Sequence, residues 1–459
     1  LELSNFIGGE FVPAESKNTF AKFNPFTGEV LAQVSSSDAM DVIKALQPAK
    51  KAATSFKDSS LEQRATYLKS LAQILQENAD QIAYDEALHQ GLPHAFVLKN
   101  NVEVSIRILQ ETAEALLQLQ DPKMLYQPSG IVGIITAWSC SLRLVVERLA
   151  PALAAGNVVL VKVSEQSPIT AKILGEALQK AQIPAGIVNI LQGNAEVAQI
   201  IAGHPSIRAV TAAGKTSTLE AIAKTALPQF KKLQLSGGAK NPSAVLADTD
   251  YKNLLPEILR PFLIGQGQMC WNISRLFVLE SFAPDFLEAV KNYFADLKPL
   301  KDPRGSEVWT PLISQSSVSH IDEKIKFGVS EHGKVFVGGN VEGVGFFYKP
   351  TVMLDLPNCS VLQQDELHGP LLLITAVKYQ HEIQKWANTS YVAHSSVVWG
   401  PSEKVMKVVS ALDTAHVWVN SWMNGETTTI FGHKQSSFGN LDMSWNGSFY
   451  SDVKKLAGT

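Results

Sequence analysis

Excess basic charge, paired cysteines and long apolar runs are all missing from this chain. Lysine plus arginine number 40 against 43 aspartate plus glutamate. That near-balance leaves no electrostatic footprint for nucleic acid and no polybasic patch for a membrane surface, so a small-molecule partner is expected. Only Cys140, Cys270 and Cys359 occur, an odd and widely spaced set. It excludes a disulfide framework and points to a reducing compartment, here expected to be the cytoplasm. No C-x-x-C or H-E-x-x-H spacing is present, so no metal is expected. No run of about 18 apolar residues exists to cross a bilayer. Leu1 to Val12 lacks a charged segment followed by an apolar one, so no signal peptide is expected. The N-x-S/T triplets at Asn272, Asn388 and Asn446 then read as chance matches.

What is present is ordinary globular material: 45% hydrophobic and 18% charged residues, enough apolar surface for a core. At 459 residues the chain exceeds what one core holds, so two or three domains are expected. Gly8-Gly9 and Thr27-Gly28 sit between β-formers and predict hairpins. From about Ser37 to Leu119 apolar residues recur at helical spacing, as in Tyr67, Leu71, Ile74 and Leu75. The rhythm then becomes βα. Ile131–Ile135, Val158–Lys162 and Ile187–Leu191 predict buried parallel strands, with helices over Leu142–Ala155 and Ile169–Ala181 between them. A second α/β set begins at Ser243–Leu246. The first set has the rhythm of a dinucleotide-binding domain but lacks G-x-G-x-x-G, so phosphates would be held by another device.

Gly265-Gln266-Gly267-Gln268-Met269-Cys270 precedes Ser274-Arg275. A cysteine after glycines is by itself more often buried filler than a nucleophile. Its company changes that reading. Asn24-Pro25-x-Thr27-Gly28-Glu29, Pro151 to Asn157, Lys162-x-Ser164-Glu165, Pro184 to Asn189, Val417 to Asn420, Phe431-Gly432 and Lys434-Gln435-Ser436 follow in order. With these motifs the chain resembles the aldehyde dehydrogenase superfamily over nearly its whole length. The resemblance implies an α/β fold with two Rossmann-like domains, for cofactor and for catalysis. It also implies that Cys270 is the nucleophile that forms a thiohemiacetal and then a thioester on the way from aldehyde to acid. Lys162 and Glu165 match positions that bind the adenosine ribose of NAD, and a carboxylate there disfavours a 2′-phosphate. Glu366, in Glu366-Leu367-His368-Gly369-Pro370, matches the glutamate that holds the nicotinamide ribose, with His368 in place of phenylalanine.

Three departures bear on competence. Thr136-Ala137-Trp138-Ser139-Cys140-Ser141 stands where the family has T-P-W-N-F-P, so Trp138 is expected to bind the cofactor and Ser139 replaces the oxyanion-binding asparagine. Losing one such donor typically lowers rate by about 10²–10³. Lys232 to Pro242 aligns without gaps to put Ser236 at the general-base glutamate, and the 34-residue interval from Ser236 to Cys270 matches the family's. A gapped alignment puts Gln234 there, which cannot accept a proton either. Such bases contribute roughly 10²–10⁴-fold. Finally, Thr211-Ala212-Ala213-Gly214-Lys215-Thr216 replaces A-F-T-G-S-T. Gly214 keeps the phosphate-facing helix start, while Lys215 either pairs with a pyrophosphate or blocks it. Ala209 stands where a phosphate-loop ATPase motif needs glycine, which rules that motif out.

The branch acting on muconic-type semialdehydes carries two arginines in the segment equivalent to Trp422 to Thr429. Gly425 and Thr428 occupy those positions, so a dicarboxylic semialdehyde is not supported. Between Leu119 and Ile131 the family's long β-arm is reduced to Gln120–Gly130, and the chain stops at Thr459, where relatives continue into another strand. The oligomerisation arm is therefore expected to be shortened or missing, leaving a monomer or an arm-less homodimer rather than a tetramer. The expected division is a cofactor domain over 1–236, a thiol domain over 237–436, and a tail over 437–459 packing back on the cofactor domain or on a partner subunit. Two functions stay open: an NAD-dependent aldehyde dehydrogenase with rearranged auxiliary groups, and a catalytically weakened relative kept for binding or structure.

Overall fold

The computed structural model describes residues 1–118, 124–341, 343–425, 431–439, 443–447 and 449–455. Both glycine hairpins form. Asn5–Ile7 pairs antiparallel with Glu10–Val12 across Gly8-Gly9, both at positive φ, and Thr19–Phe23 pairs with Val30–Ser35. The helical stretch resolves into Ala39–Phe56, Leu61–Glu77, Ala79–Gln90 and Glu103–Gln118. Asp38 and Ser60 accept from first-turn amides of the first two, as polar N-caps do. A five-residue π-helix, Leu98–Val102, interrupts the layer ahead of the last helix.

Two sheets carry the rest. The first has eight strands in the order Ser437–Gly439, Lys232–Gly237, Ile207–Gly214, Ile131–Ile135, Val158–Lys162, Val188–Leu191, Asn5–Ile7, Glu10–Val12. Its five central strands run parallel, and every residue of Ile131–Ile135 and Val158–Lys162 is buried. Burial on both faces explains why these strands read as continuous apolar runs, each large side chain contributing about 1.5–3 kcal/mol. The second sheet has seven strands, ordered Lys334–Val337, Thr351–Leu354, Leu371–Val377, Ile273–Leu279, Asn241–Val245, Ser395–Trp399, His416–Val419, and is parallel except at its first pair. The predicted strands and helices fall within two residues of the observed ones at each end.

The arm is shortened rather than missing. Met124–Pro128 pairs antiparallel with Ser451–Lys455 in a separate two-stranded ribbon. The segment before that C-terminal strand is tied to the first sheet: Tyr450 O accepts from Ser129 N at 3.1 Å and from Asn157 Nδ2 at 2.9 Å.

Helix Ser141–Ala154, between the strands Ile131–Ile135 and Val158–Lys162, is buried along its whole length, including Arg143, Glu147 and Arg148. Its start is fixed from the helical layer. Cys140 N donates to Gln90 Oε1 (3.0 Å), Leu142 N to Glu86 Oε2 (3.3 Å) and Arg143 N to Asn101 Oδ1 (2.7 Å). These acceptors satisfy amides that a helix start leaves open, and Glu86 lies where the helix dipole favours negative charge. Glu86 is fully buried and also receives Gln90 (2.6 Å) and Asn101 (2.8 Å), so the cluster locks itself. Glu86→Ala is expected to lower unfolding free energy by about 3 kcal/mol, because several buried donors lose one acceptor. A urea midpoint within error of the parent would contradict this.

Candidate active site

The thiol sits on the loop between helix Tyr251–Leu263 and strand Ile273–Leu279. Gly265, Gln266 and Gly267 all have positive φ, which folds this loop back on itself. Gly267 has a second reason to be glycine: a Cβ there would lie 2.2 Å from Gly369 O, so the loop packs backbone to backbone on the segment after Glu366. Side-chain amides clamp the residues on either side of the thiol. Asn272 accepts from Met269 N (2.8 Å) and donates to Pro261 O (2.7 Å) and Ile264 O (2.8 Å). Asn241 donates to Cys270 O (2.7 Å) and Asn272 O (2.8 Å), and Gln268 accepts from Ile313 N (3.0 Å). The Asn272 triplet thus has a structural explanation unrelated to sugar.

Cys270 opens onto a cavity of about 390 Å³ between the two sheets, whose wall includes Trp138, Ser139, Lys162, Glu165, Gly214 and Lys215 from the first sheet's side. Ser236 and, from the second sheet, Glu366 and His368 also line it. Every site residue singled out in the sequence therefore meets at one place. The Ser236 register is the one that reaches the cavity: Gln234 lies two residues deeper in the strand, fully buried, its Oε1 accepting from Thr211 (2.9 Å). Ser139 is buried on the cavity wall, and its hydroxyl makes no hydrogen bond among the described residues.

Lys162 Nζ lies 2.9 Å from Glu165 Oε2. Burial works against a charged Glu165, but Lys162, helped by Lys215, overrides it and holds the carboxyl below its usual range. Lys215 itself is exposed at the start of helix Thr216–Ala226, so it flanks the cavity rather than filling it. Glu366 is paired with His368 (2.9 Å), which adopts a left-handed φ of 51°. Cys140 and Gln266 share that conformation at 49° and 54°. Three non-glycine residues in this region around one thiol store local strain of about 1–3 kcal/mol each.

Sequence reasoning missed part of the wall. Leu144, Glu147 and Arg148 face the cavity from one side of helix Ser141–Ala154, at the three- and four-residue spacing of a helical face. Arg143 Nε donates to Glu147 Oε1 at 2.7 Å, and its guanidinium lies 4.9 Å from the Trp271 ring centre. His394 also lines the cavity; burial lowers its pKa to about 4. The available signal was charge inside an otherwise apolar helix, Arg143-Leu144-Val145-Val146-Glu147-Arg148.

Burial pushes the Cys270 thiol well above its ordinary range. Glu366, Cys140 and Glu147 reinforce this, and Arg143 opposes it. The free protein is thus expected to hold a protonated thiol at neutral pH, with a thiolate fraction growing about tenfold per pH unit. Alkylation of Cys270 by iodoacetamide, followed by peptide mass to separate it from exposed Cys359, is expected to keep that slope from pH 7 to 9. A plateau below pH 8 would contradict it.

Fold and site together define a two-sheet α/β protein with a cysteine in a deep, carboxylate-lined cleft. A sequence model of the aldehyde dehydrogenase family matches residues 11–456. The human (Homo sapiens) 2-aminomuconic semialdehyde dehydrogenase is 28% identical, covering 99% of this chain and 98% of its own. The 2-hydroxymuconic semialdehyde dehydrogenase of Pseudomonas sp. (strain CF600) is 28% identical, with 99% of each covered. Among solved structures, the NAD+ complex of aldehyde dehydrogenase from Bacillus cereus superposes with a TM-score of 0.93 at 26% identity, over 99% of this chain and 96% of that one. The chain belongs to the aldehyde dehydrogenase family.

Proposed function

We infer that the protein oxidises an aldehyde to a carboxylic acid with NAD, through a covalent adduct on Cys270. The observation that carries this is the convergence of Cys270, the Lys162–Glu165 pair and Glu366 on one cavity. The residues suit a dinucleotide. A charged carboxylate at Glu165 accepts ribose hydroxyls and repels a 2′-phosphate. The amides at the start of helix Thr216–Ala226, beside Gly214, face a pyrophosphate, with Lys215 adding a cation. Glu366 accepts the second ribose, competing with His368. Bound NAD supplies the hydride acceptor. Cys270 supplies the sulfur nucleophile once its proton leaves, Trp138 forms part of the wall, and Ser139 and Ser236 occupy the positions of oxyanion donor and base.

The muconic semialdehydes in the relatives' names do not carry over. Gly425, at one arginine position, is held instead by Asn100 (3.0 Å) and Arg107, and Thr428 lies outside the described residues. The proposed division keeps residues 1–236 as cofactor domain and 237–436 as thiol domain. The tail packs with the former, supported by the pairing of Ser437–Gly439 on Lys232–Gly237. Three free cysteines support a reducing, cytoplasmic setting.

The test is incubation with NAD and a panel of aldehydes, following NADH and intact mass. NADH formation with at least one aldehyde supports the reading. No NADH, no adduct and no NAD binding would overturn it. For assembly we propose a monomer or arm-less homodimer, supported by an arm ribbon of two strands among the described residues. A light-scattering mass of four subunits would overturn that.

A further inference from the structure

Hydrolysis of a thioester on Cys270 needs a group to take a proton from water, and Ser236 cannot do so. The wall of the cavity carries three carboxylates: Glu165, Glu366 and Glu147. Glu165 is tied to Lys162, and Glu366 to His368. Glu147 differs from both in its enclosure: its side chain is 3% exposed, against 45% for Glu165 and 18% for Glu366. Its Oε1 is held by Arg143, but its Oε2 lies 3.7 Å from Arg148 Nη1, beyond hydrogen-bond length, and accepts no hydrogen bond among the described residues. It is only 3% exposed, yet it lines the cavity that Cys270 enters. It is therefore an oriented, water-shielded carboxylate with one oxygen available on the thiol's own cavity.

Orientation comes from the whole helix. The Glu86, Gln90 and Asn101 clamp fixes the helix start, and the Arg143 bond fixes the carboxylate plane. A side chain at 147 here faces the cavity as part of the Leu144, Glu147, Arg148 face. The charge of Glu147 is also felt at Cys270, where it disfavours the thiolate.

Resting on the reading of Cys270 as nucleophile, we propose that Glu147 is the proton acceptor for deacylation, a carboxylate supplied by helix Ser141–Ala154 in place of one at position 236. Glu147 Oε2 takes a proton from water as the water oxygen bonds to the thioester carbonyl carbon. The carbon–sulfur bond then breaks, its electron pair leaving with sulfur. The proton passes from Glu147 to the thiolate, giving free acid and the Cys270 thiol. No redox partner enters this step, since the hydride has already left.

The charged and titratable groups that interact with Glu147 are Arg143 and Arg148 on its own helix, Cys140 at the helix start, Cys270 on the thiol loop and Tyr450 on the C-terminal segment. None of these five replaces it as an acceptor at neutral pH: two are guanidinium ions, and burial raises Cys140 and Tyr450. Cys270 is the acylated group.

The experiment compares the parent with Glu147→Gln, which keeps an acceptor for Arg143. NADH burst, steady-state rate and acyl adduct are read with NAD and the best aldehyde of the panel. Expected are an unchanged burst of one NADH per Cys270, a steady-state rate lower by about 10²-fold, accumulation of the Cys270 acyl adduct, and loss of the acid limb of the pH–rate profile. Adding Ser236→Glu to this variant is expected to recover at least about tenfold of the rate, a rescue no purely structural role predicts. Glu366→Gln is expected to raise the KM for NAD and leave the adduct transient, and His394→Gln to leave deacylation unchanged. Should Glu147→Gln fail to fold, Glu147→Asp, one methylene shorter, is expected to slow deacylation about tenfold with the acid limb retained. An unchanged steady-state rate in the folded variant, a stalled acyl adduct in the parent, or an adduct trapped by His394→Gln would each overturn the role of Glu147 while leaving Cys270 as nucleophile. Absence of any burst in the parent would overturn the nucleophile reading itself.

Discussion

Cys270→Ala is expected to lower NADH production from every accepted aldehyde by at least ~10⁴-fold, the largest single effect at this site. No other group can take over the covalent step. Cys140 is fully buried, pushed up to about 12, and does not line the cavity, and Cys359 is exposed elsewhere. The substitution removes one sulfur from a half-buried loop whose shape is set by Asn241, Asn272 and Gln268, so folding and NAD affinity should persist. Calorimetry with NAD is the companion measurement. Residual turnover above a hundredth of the parent would mean that hydride leaves a gem-diol without a sulfur adduct, and would remove Cys270 from the reaction.

Ser139→Asn is expected to raise the burst rate of NADH by about 10²–10³-fold, the reverse of losing an oxyanion donor. Ser139 is 6% exposed on the cavity wall and its hydroxyl bonds to none of the described residues, so an amide meets no competing bond there. The gain belongs to acylation. Steady-state turnover should rise only until hydrolysis limits it, so burst and steady state must be measured separately. A burst rate within threefold of the parent would place the oxyanion contact on other donors, such as the backbone amide at Cys270.

The fold was legible because it is written in apolar period. Five consecutive buried residues at Ile131–Ile135 and at Val158–Lys162 leave no other arrangement than a sheet covered on both faces. The named site residues were legible through their motifs, and they converge on one cavity although Ser139, Lys162, Gly214, Ser236, Cys270 and Glu366 come from six separate segments. Glu147 was not legible. An isolated Glu in a helix reads as a solvated face, and only the packing of helix Ser141–Ala154 on all sides shows that this one is enclosed. The same holds for the clamp at the helix start. Glu86, Gln90 and Asn101 converge on it from a helix and a π-turn, a meeting set by tertiary packing rather than by any spacing in the sequence. The arm illustrates the opposite error. Its length was visible, but its partner, a strand more than three hundred residues away, was not.

That distant pairing has a consequence for how the molecule comes into being. The first sheet takes one edge from residues near the N-terminus and the other from Ser437–Gly439, while Tyr450 closes on Ser129 and Asn157. During synthesis the early strands emerge long before those closing segments exist. They must wait, partly uncovered, while the entire second sheet is made and folded. Contacts so far apart in sequence form slowly, and an uncovered sheet edge is a template for wrong pairing. Newly made chains of this protein should therefore depend on chaperones until the closing strands Ser437–Gly439 and Ser451–Lys455 have left the ribosome.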